Sequence, residues 1–537
     1  MNIYIDNKEI IYKDYQPLKS LVYENKNIVG AIYNGKIKDL NYRPHNNGKL
    51  EWIYRDSEIG QLMEERTLSF LLIAATKSLY PDVSIRIEHT LASCLYCCFD
   101  NLVVNEKVID CIRDKMYEMI QHQEVIYRDI VKTSEAVIFF EEKGLKDKAD
   151  LLRYRTSQLS SIYELCGIYD YFYGAMYIDL SYIHDFCLRL YEQGVLLGTT
   201  PVFQDQPKLF KVFHEYEQWG RKIGISNVAE LNQSIIENRY TDLILMSEAM
   251  IEKKLAETVQ DILSQKNKKK IILIAGPSSA GKTTFSKRLG IHFKLEGIQP
   301  LIISMDDFYL NRVDTPRLPD GSYDFENISA IDLKLFNETM NDLLNGKEVQ
   351  LPYYDFITGE RGWYKDKVHL EKNSIIIVEG IHALNEKSSE MIDRTAKYKI
   401  YINALTHLNL DHHNRISTSD YRMIRRIVRD YQFRGYSASK TIQIWPSVEA
   451  GEQKYIYPYQ ETADCIFNTS MVYEMSILKK IAVKLLKKIH KDEIGYLEAR
   501  RLCAMLNYFL DGDETNVPRN SILAEFIGNS VFSDHQN

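Results

Sequence analysis

The sequence predicts an α/β protein whose C-terminal half contains a parallel sheet covered by helices, preceded by β-rich and α+β regions. Three observations support this prediction. Short apolar strands alternate with helical stretches after residue 270, a glycine-containing loop follows the first of these strands, and β-like runs fill residues 1–55. Strands that alternate with helices are typical of a parallel sheet with both faces covered.

The length and composition indicate several globular domains. The chain has 537 residues, of which 45% are hydrophobic and 26% charged. Because one hydrophobic core rarely exceeds about 300 residues, two or three domains are expected. The net charge of −7 argues against nucleic-acid binding through bulk charge. No secretory signal or membrane-spanning stretch is visible, and the eight cysteines are scattered, so a cytoplasmic protein with reduced thiols is expected.

The N-terminal half divides into a β-rich and a more helical region. Residues 1–55 contain four β-like runs separated by polar turns. Leu62, Leu68, Leu71, Leu72 and Ala75 recur at helical spacing in the segment that follows. Further helices are predicted over 107–121, 124–142 and 145–160, and one or two helices over 228–262. The lysine-rich run at 264–270 marks the start of the next domain.

Alternating strands and helices begin at residue 271. The strands are IILIAG, QPLIISMDD, SIIIVEG and KYKIYIN, with TTFSKRLGIHFKLEG as the first helix and helical stretches between the later strands. The tail from 471 reads as helical at first and then as polar and irregular. Because ligands bind at the carboxyl ends of parallel strands, residues that follow these strands are candidates for a functional site.

The strongest motif is a phosphate-binding loop that fits G-x-x-x-x-G-K-[ST] between a strand and a helix. Its backbone N–H groups and the helix N-terminus would hold phosphate, with Lys282 at the β- and γ-phosphates and the Thr283 hydroxyl on Mg²⁺. ATP or GTP with Mg²⁺ is therefore expected. The predicted nucleotide-binding residues are Gly276, Pro277, Ser278, Ser279, Ala280, Gly281, Lys282, Thr283 and Thr284.

Acidic residues follow the next two strands. Asp306 and Asp307 come at the end of the second strand, where a carboxylate can accept the proton of an attacking hydroxyl or bind magnesium. The alternative is a solvated pair that caps the next helix. Glu379 ends the third strand, in a position to hold the metal directly or through water.

Arginines cluster further along the chain. Arg422, Arg425, Arg426 and Arg429 are spaced three or four residues apart and therefore share one side of a helix, and Arg434 follows. Like charges on one face are costly unless an anion is near, and a triphosphate is such an anion. The alternative is a basic surface helix.

These motifs, in this order, resemble the uridine kinase and phosphoribulokinase family of P-loop kinases over about residues 271–485. Besides the loop, residues 304–309 resemble the family's S-x-D-x-F-Y strand end, and 349–356 its V-Q-x-P-x-Y-D-F segment. Glu379-Gly380-Ile381 matches E-G-I, and Arg425–Asp430 matches the R-R-x-x-R-D lid. The resemblance implies a homo-oligomeric kinase of nucleosides.

The resemblance also implies roles for individual residues. Asp306 would be the general base on the nucleoside 5′-hydroxyl. The phosphates would be held by Lys282, Arg425, Arg429 and Arg434. The nucleoside side would comprise Tyr309, Glu326, Tyr354, Phe356 and Arg361, with Glu326 at the place of an aspartate that binds ribose hydroxyls.

The sequence differs from the family pattern at Gly359, where pyrimidine-specific members have a histidine that contacts the base. The preferred base of the nucleoside therefore stays open. Two alternatives to a nucleoside kinase also stay open. They are a kinase of the same fold that acts on a sugar phosphate or another small alcohol, and a nucleotide-switched RNA-binding or regulatory protein.

The N-terminal half resembles threonyl-tRNA synthetases. Residues 1–55 resemble their β-grasp (TGS-like) domain, and about 60–200 resemble their editing domain. Arg66, Phe70 and Asp170 stand where that domain has histidines, so we expect the fold without the editing chemistry, and an RNA end, nucleotide or protein partner as ligand. His89 with Cys94, Cys97 and Cys98 completes no zinc site and predicts a core strand with thiols.

The predicted domain organisation follows from these motifs and resemblances. The domains are a β-grasp domain at 1–55, an editing-like α+β domain at 56–215, a helical linker at 216–265, a P-loop kinase domain at 266–490 and a C-terminal helical tail at 491–537.

Overall fold

A computed structural model describes residues 2–5, 8–12, 16–22, 25–199, 203–265, 269–318, 321 and 323–532. Part of the predicted boundary at 264–270 therefore lies outside the described residues. Among the helices of the described ranges, none is long and apolar enough to cross a membrane.

Five strands form the N-terminal sheet in the order β2-β1-β5-β3-β4, with β1 and β5 parallel and the other neighbours antiparallel. The predicted run IVGAIYNGKI is two strands, because Asn34 and Gly35 have positive φ and reverse the chain between them. Ile3, Ala31 and Leu50 are buried in its core. The strands are β1 (Asn2–Ile5), β2 (Lys8–Ile11), β3 (Ile28–Tyr33), β4 (Lys36–Lys38) and β5 (Gly48–Tyr54).

The next region combines helices with two antiparallel sheets, ordered β11-β12-β7-β6 and β10-β9-β8. The elements are α1 (Glu58–Leu79), β6 (Ser84–Leu91), β7 (Cys94–Asp100), α2 (Glu106–Gln121), β8 (Tyr127–Lys132), α3 (Thr133–Glu142), α4 (Lys146–Arg153), β9 (Leu159–Leu165), β10 (Ile168–Asp170), β11 (Cys187–Tyr191) and β12 (Gly194–Gly198). Three helices follow: α5 (Pro207–Ile223), α6 (Val228–Ile236) and α7 (Tyr240–Ser264).

Two predicted helices in this region are wrong in part. The helix predicted over 124–142 begins only at Thr133, since 127–132 form β8, and the helix predicted over 145–160 ends at Arg153. All six residues of 127–132 pair with β9. Hydrogen bonding to this distant strand therefore outweighs the local helical spacing. The helices predicted at 107–121 and 228–262 are confirmed.

The C-terminal half contains a five-stranded parallel sheet in the order β14-β17-β13-β18-β19, which confirms the predicted α/β fold. A separate antiparallel hairpin joins β15 to β16. The elements are β13 (Ile271–Ala275), α8 (Lys282–Leu295), β14 (Gln299–Ser304), α9 (Leu333–Leu344), β15 (Val349–Asp355), β16 (Glu360–Val368), β17 (Ser374–Glu379), β18 (Lys397–Asn403), α10 (Thr418–Phe433), α11 (Ala438–Tyr455), β19 (Cys465–Asn468), α12 (Glu474–Leu486), α13 (Tyr496–Leu506) and α14 (Ala524–Ile527).

Helices cover both faces of this sheet. All five residues of β13 are buried, and successive side chains point to opposite faces. Ile272 and Ile274 pack in one core with Phe285 of α8, whereas Ile271 and Leu273 pack in another with Phe336 of α9. The carboxyl ends of the strands are thereby held on one rigid edge.

Candidate active site

The phosphate loop, residues Gly276–Thr283, connects β13 to α8. Ser279 and Gly281 have φ of 60° and 85°, so the backbone curls through left-handed conformations before the helix begins at Lys282. A Cβ atom on Gly276 would lie 2.1 Å from the carbonyl oxygen of Ile402 in β18. The loop therefore needs glycine at Gly276 for close packing and at Gly281 for its turn.

Lys282 folds back over this loop. Its Nζ donates hydrogen bonds to the carbonyl oxygens of Gly276 at 3.0 Å and Pro277 at 3.2 Å. Burial lowers the pKa of Lys282, and the nearby carboxylates of Glu379 and Asp306 oppose that shift. The ammonium group thus lies beside the loop and close to two acids.

The acids come together because neighbouring strands end in register. Ser304 of β14 pairs with Glu379 of β17, and Glu379 Oε1 accepts hydrogen bonds from Thr283 Oγ1 at 3.3 Å and Ser304 Oγ at 3.4 Å. Burial, followed by the charge of Asp306, raises the pKa of Glu379 to about 7. Asp306 lies in the turn Met305–Phe308, and burial raises its pKa as well.

These side chains fit a magnesium ion. The hydroxyl of Thr283 and the carboxylate of Glu379 are adjacent oxygen ligands, which is the donor type that Mg²⁺ prefers. Within the described part of the chain, no group of three or more Asp, Glu, His or Cys side chains forms a complete metal site.

Two arginines of α10 are neutralised inside the protein. Arg422 pairs with Glu452 at 2.6 and 2.7 Å, and Arg425 pairs with Glu474 at 2.5 and 2.7 Å, all four side chains being buried. For these two residues the argument that their charges need an external anion is therefore wrong. The two arginines also donate to the carbonyl oxygens of Ser278 and Ser279 in the phosphate loop.

The end of α10 has a different balance of charge. Arg426, Arg429 and Arg434 share the single carboxylate of Asp430, at 3.2, 3.1 and 3.5 Å. Burial and the neighbouring Arg434 lower the pKa of Arg429 to about 10. Arg426 also donates to Ser278 Oγ at 2.7 Å. Three cations on one acid leave this end of the helix positive, next to the phosphate loop.

An aromatic cluster lies near Asp306, and burial, followed by the charge of Asp306, raises the pKa of Tyr309 within it. The ring of Tyr309 is 5.5 Å from that of Tyr354 and 6.0 Å from that of Phe356, and the last two are 4.9 Å apart. Tyr309 and Tyr354 are buried, whereas 57% of Phe356 is exposed. The three residues predicted to form the nucleoside pocket are thus together, with one ring open to solvent.

Glu326 and Arg361 lie near this cluster in different charge environments. Burial raises the pKa of Glu326 to about 7, against the opposing charge of Arg426. Arg361 Nη1 donates to Asp332 Oδ2 at 2.9 Å and is therefore paired. Gly359 has φ of 78°, and a Cβ atom there would lie 2.6 Å from Arg312 Nε. A histidine at Gly359 would be strained, so the turn itself requires glycine.

Three glutamates at the phosphate loop were missed by the sequence analysis. The Ser278 N–H donates to Glu452 Oε1 at 2.8 Å, and Glu474 holds Arg425. The Thr284 N–H and hydroxyl donate to Glu525 Oε2 at 3.3 and 2.7 Å. None of the three belongs to a motif. Glu452 is 174 positions from Ser278 and Glu525 is 241 positions from Thr284, so spacing along the chain gave no signal.

In the N-terminal half, the positions of the missing histidines serve internal contacts. Arg66 donates to the carbonyl oxygen of Ala175 at 3.1 Å, Phe70 is buried, and Asp170 pairs with His413 at 2.6 Å. Cys94 and Cys97 are buried in β7, as predicted for a core strand. The resemblance of this half to threonyl-tRNA synthetases stays a prediction.

Sequence comparison agrees with the geometry of the C-terminal half. Residues 271–476 match the phosphoribulokinase / uridine kinase family. The uridine kinase of Lactobacillus helveticus is 31% identical over 198 residues, which are 36% of this chain and 84% of that protein. The inorganic pyrophosphatase TTM2 of Arabidopsis thaliana is 30% identical over 250 residues, which are 44% of this chain but only 33% of that protein.

A solved structure described as a possible uridine kinase from Bacillus stearothermophilus is 18% identical, covering 37% of this chain and 89% of its own, with a TM-score of 0.26. The sequence match to the Lactobacillus helveticus protein extends over most of that relative, and the family match contains the phosphate loop, Asp306, Glu379 and the arginines of α10. Through its C-terminal half, this chain belongs to the phosphoribulokinase / uridine kinase family.

Proposed function

We propose that this protein is an ATP- and Mg²⁺-dependent kinase that phosphorylates the 5′-hydroxyl of a nucleoside. The observation that carries the proposal is the convergence of Lys282, Asp306 and Glu379 at one edge of the sheet, beside an aromatic cluster. Family membership supports the phosphoryl-transfer class, and the aromatic rings support a nucleoside acceptor.

In the proposed reaction the acceptor hydroxyl attacks the γ-phosphorus. A bond forms from its oxygen to phosphorus, the bond from phosphorus to the β,γ-bridging oxygen breaks, and ADP leaves. The hydroxyl proton passes to the carboxylate of Asp306, whose pKa burial raises towards the range useful for a base at neutral pH. Lys282 and the positive end of α10 offset the charge on the phosphates.

Magnesium would be held by Thr283 and Glu379. When bound, the ion supplies positive charge to the phosphate oxygens. The hydrogen bond that Thr283 donates to Glu379 keeps these two oxygens adjacent.

The acceptor side favours an uncharged nucleoside over a sugar phosphate. Phe356 offers an exposed ring for stacking, and Glu326 is a buried carboxyl group suited to ribose hydroxyls. Arg361 is already paired with Asp332, so it is not a free cation for a second phosphate.

The test is a panel of nucleosides incubated with the full chain, Mg²⁺ and ATP or GTP, analysed for nucleoside monophosphates. We expect at least one nucleoside to be phosphorylated and its KM to rise strongly in Phe356→Ala. Phosphorylation of a sugar phosphate or a simple alcohol instead would identify the alternative acceptor. Release of phosphate from inorganic pyrophosphate without any acceptor would contradict the kinase proposal.

A further inference from the structure

The C-terminal strap, residues 518–532, lies directly against the phosphate loop. Its side chains Ile522, Leu523, Ala524 and Phe526 are at most 1% exposed, so the strap belongs to the folded protein. A Cβ atom on Gly281 would lie 2.6 Å from Ile522 Cγ2. The strap thus covers the loop at the turn that leads into α8.

Glu525 of the strap binds the first turn of α8. Its Oε2 accepts hydrogen bonds from both the backbone N–H and the hydroxyl of Thr284, the third residue of the helix. N–H groups of a first helical turn have no partner within the helix, and together with the helix dipole they form an anion site. In this structure the anion at Thr284 is a carboxylate of the same chain.

Further contacts fix the strap around this carboxylate. The ring of Phe526 lies 4.9 Å from the guanidinium of Arg425, which itself contacts the loop. Lys287, one turn further along α8, donates to the carbonyl oxygen of Phe532 at 2.8 Å. Together with Ile522, which lies against Gly281, these contacts hold the strap on both sides of Glu525 in the sequence.

A second glutamate is hydrogen-bonded to the backbone of the same loop. Glu452 accepts a hydrogen bond from the Ser278 N–H at 2.8 Å, so two backbone donors of the phosphate-binding segment are bonded to carboxylates. Glu452 is fixed by a buried ion pair with Arg422, whereas Glu525 forms no ion pair within the part of the chain that the structure describes. Glu525 is therefore the group that can leave.

We propose that the C-terminal strap is an autoinhibitory element, in which Glu525 competes with the phosphates of the nucleotide for the first turn of α8. This inference rests on the proposed function, because it requires the loop to bind a nucleoside triphosphate. Nucleotide binding displaces Glu525 and loosens the strap. The affinity for nucleotide is accordingly lower than the loop alone would give.

The test compares Mg·ATP affinity in the full-length protein and three variants by calorimetry. Glu525→Ala removes the competing carboxylate, and a charge-assisted hydrogen bond of this kind corresponds to about 10-fold to 100-fold in affinity. We expect Glu525→Ala to bind Mg·ATP at least about 10-fold more tightly. Glu514→Ala, an exposed acid of the same tail, is the matched control and should leave the affinity unchanged. Lys282→Ala tests whether the phosphate loop is the nucleotide-binding site.

A second measurement uses the unmodified protein, in case Glu525→Ala folds poorly. The N–H groups of Phe526 and Gly528 are hydrogen-bonded within the strap, so hydrogen exchange detects its release. We expect saturating Mg·ATP to accelerate exchange in the strap, and slower or unchanged exchange would overturn the proposal.

The outcomes separate the two proposals. If Lys282→Ala abolishes binding but Glu525→Ala binds Mg·ATP as wild type or more weakly, only autoinhibition is overturned. If Lys282→Ala binds Mg·ATP as tightly as wild type, the loop is not the nucleotide site and both proposals are overturned.

Discussion

Asp306 and Glu326 are carboxyl groups whose burial raises their pKa values beside the phosphate loop. Asp306 is placed by a short turn that Ser304 caps at its N-terminus. Glu326 lies against α11, where a Cβ atom on Gly451 would be 2.7 Å from the Glu326 Cβ. The environment of each acid, more than its identity, decides which protonation state is favoured at neutral pH.

We expect Asp306→Asn to lower kcat by about 100-fold to 10,000-fold, because an amide cannot accept the hydroxyl proton. The affinity for Mg·ATP should change little. Steady-state kinetics on a nucleoside found to be a substrate, together with calorimetric titration of Mg·ATP, measure both effects. Asp314→Asn, an exposed acid nearby, is the control. Full activity of Asp306→Asn would exclude Asp306 as the base.

Glu326 should make stability depend on pH. Its folded pKa of about 7 lies above the ordinary value of 4.5, so the folded state binds the proton more tightly. This contribution to stability is fully present below about pH 4.5 and is lost as pH rises through about 7. The free energy of unfolding of wild type minus that of Glu326→Gln should therefore fall between pH 4.5 and 8 in urea titrations. A constant difference would contradict the burial argument.

At the scale of elements, α10 is tied to the phosphate loop by buried ion pairs. Arg422 and Arg425 each bond a glutamate and a loop carbonyl oxygen, while Arg426 bonds Ser278 Oγ. A buried ion pair of this kind adds little to the stability of the fold, but removing one partner destabilises the fold strongly because the other charge stays buried and unpaired. The helix is thus held in one register relative to the loop.

A double-mutant cycle tests this arrangement. Arg422→Met or Glu452→Gln alone should destabilise the fold by about 3–5 kcal/mol, because the remaining charge stays buried and unpaired. The double variant should lose clearly less than the sum. The exposed pair Lys347–Asp342 is the control, with a coupling of about 0–1 kcal/mol in the same guanidinium titrations. Additive losses at Arg422 and Glu452 would show that the pair is not coupled.

At the scale of the whole molecule, a buried charge network joins the two halves. Lys148 of α4 is fully buried, and its Nζ lies 2.5 Å from Asp411 in the kinase half and 3.4 Å from Asp170 of β10. Burial alone would lower the pKa of Lys148, but Asp147, Asp170 and Asp411 together raise it. The N-terminal half is therefore anchored to the segment that follows β18.

Lys148→Met should weaken this junction. The substitution leaves Asp411 buried without its cation and Asp170 with His413 as its remaining basic partner, and a loss of about 3–5 kcal/mol is expected. Lys146→Met changes an exposed lysine of the same helix and should be close to neutral. Thermal unfolding combined with protease cleavage between the halves measures the effect. Equal melting and cleavage of the two variants would exclude Lys148 as the anchor.

Local patterns predicted the C-terminal fold better than the N-terminal one. The four predicted strands of the parallel sheet are short and largely apolar, so each signal is contained in a few neighbouring residues. The fifth strand, β19, has only four residues and was not predicted. The strand β8 carries no such run, with the sequence YRDIVK and mostly exposed side chains. Its existence depends on β9, almost thirty residues later, and local spacing could only suggest a helix.

Local sequence was sufficient to predict the α/β class, the phosphate loop and the acids at the strand ends, because each depends on residues that are adjacent or follow a fixed strand-to-helix connection. Which charges meet depends instead on how distant segments pack. Glu452, Glu474 and Glu525 reach the loop region through packing. Glu452 pairs with Arg422, Glu474 pairs with Arg425, which was predicted to bind phosphate, and Glu525 binds the N-terminus of α8. Electrostatic partners are chosen by distance in space, which no spacing along the chain encodes.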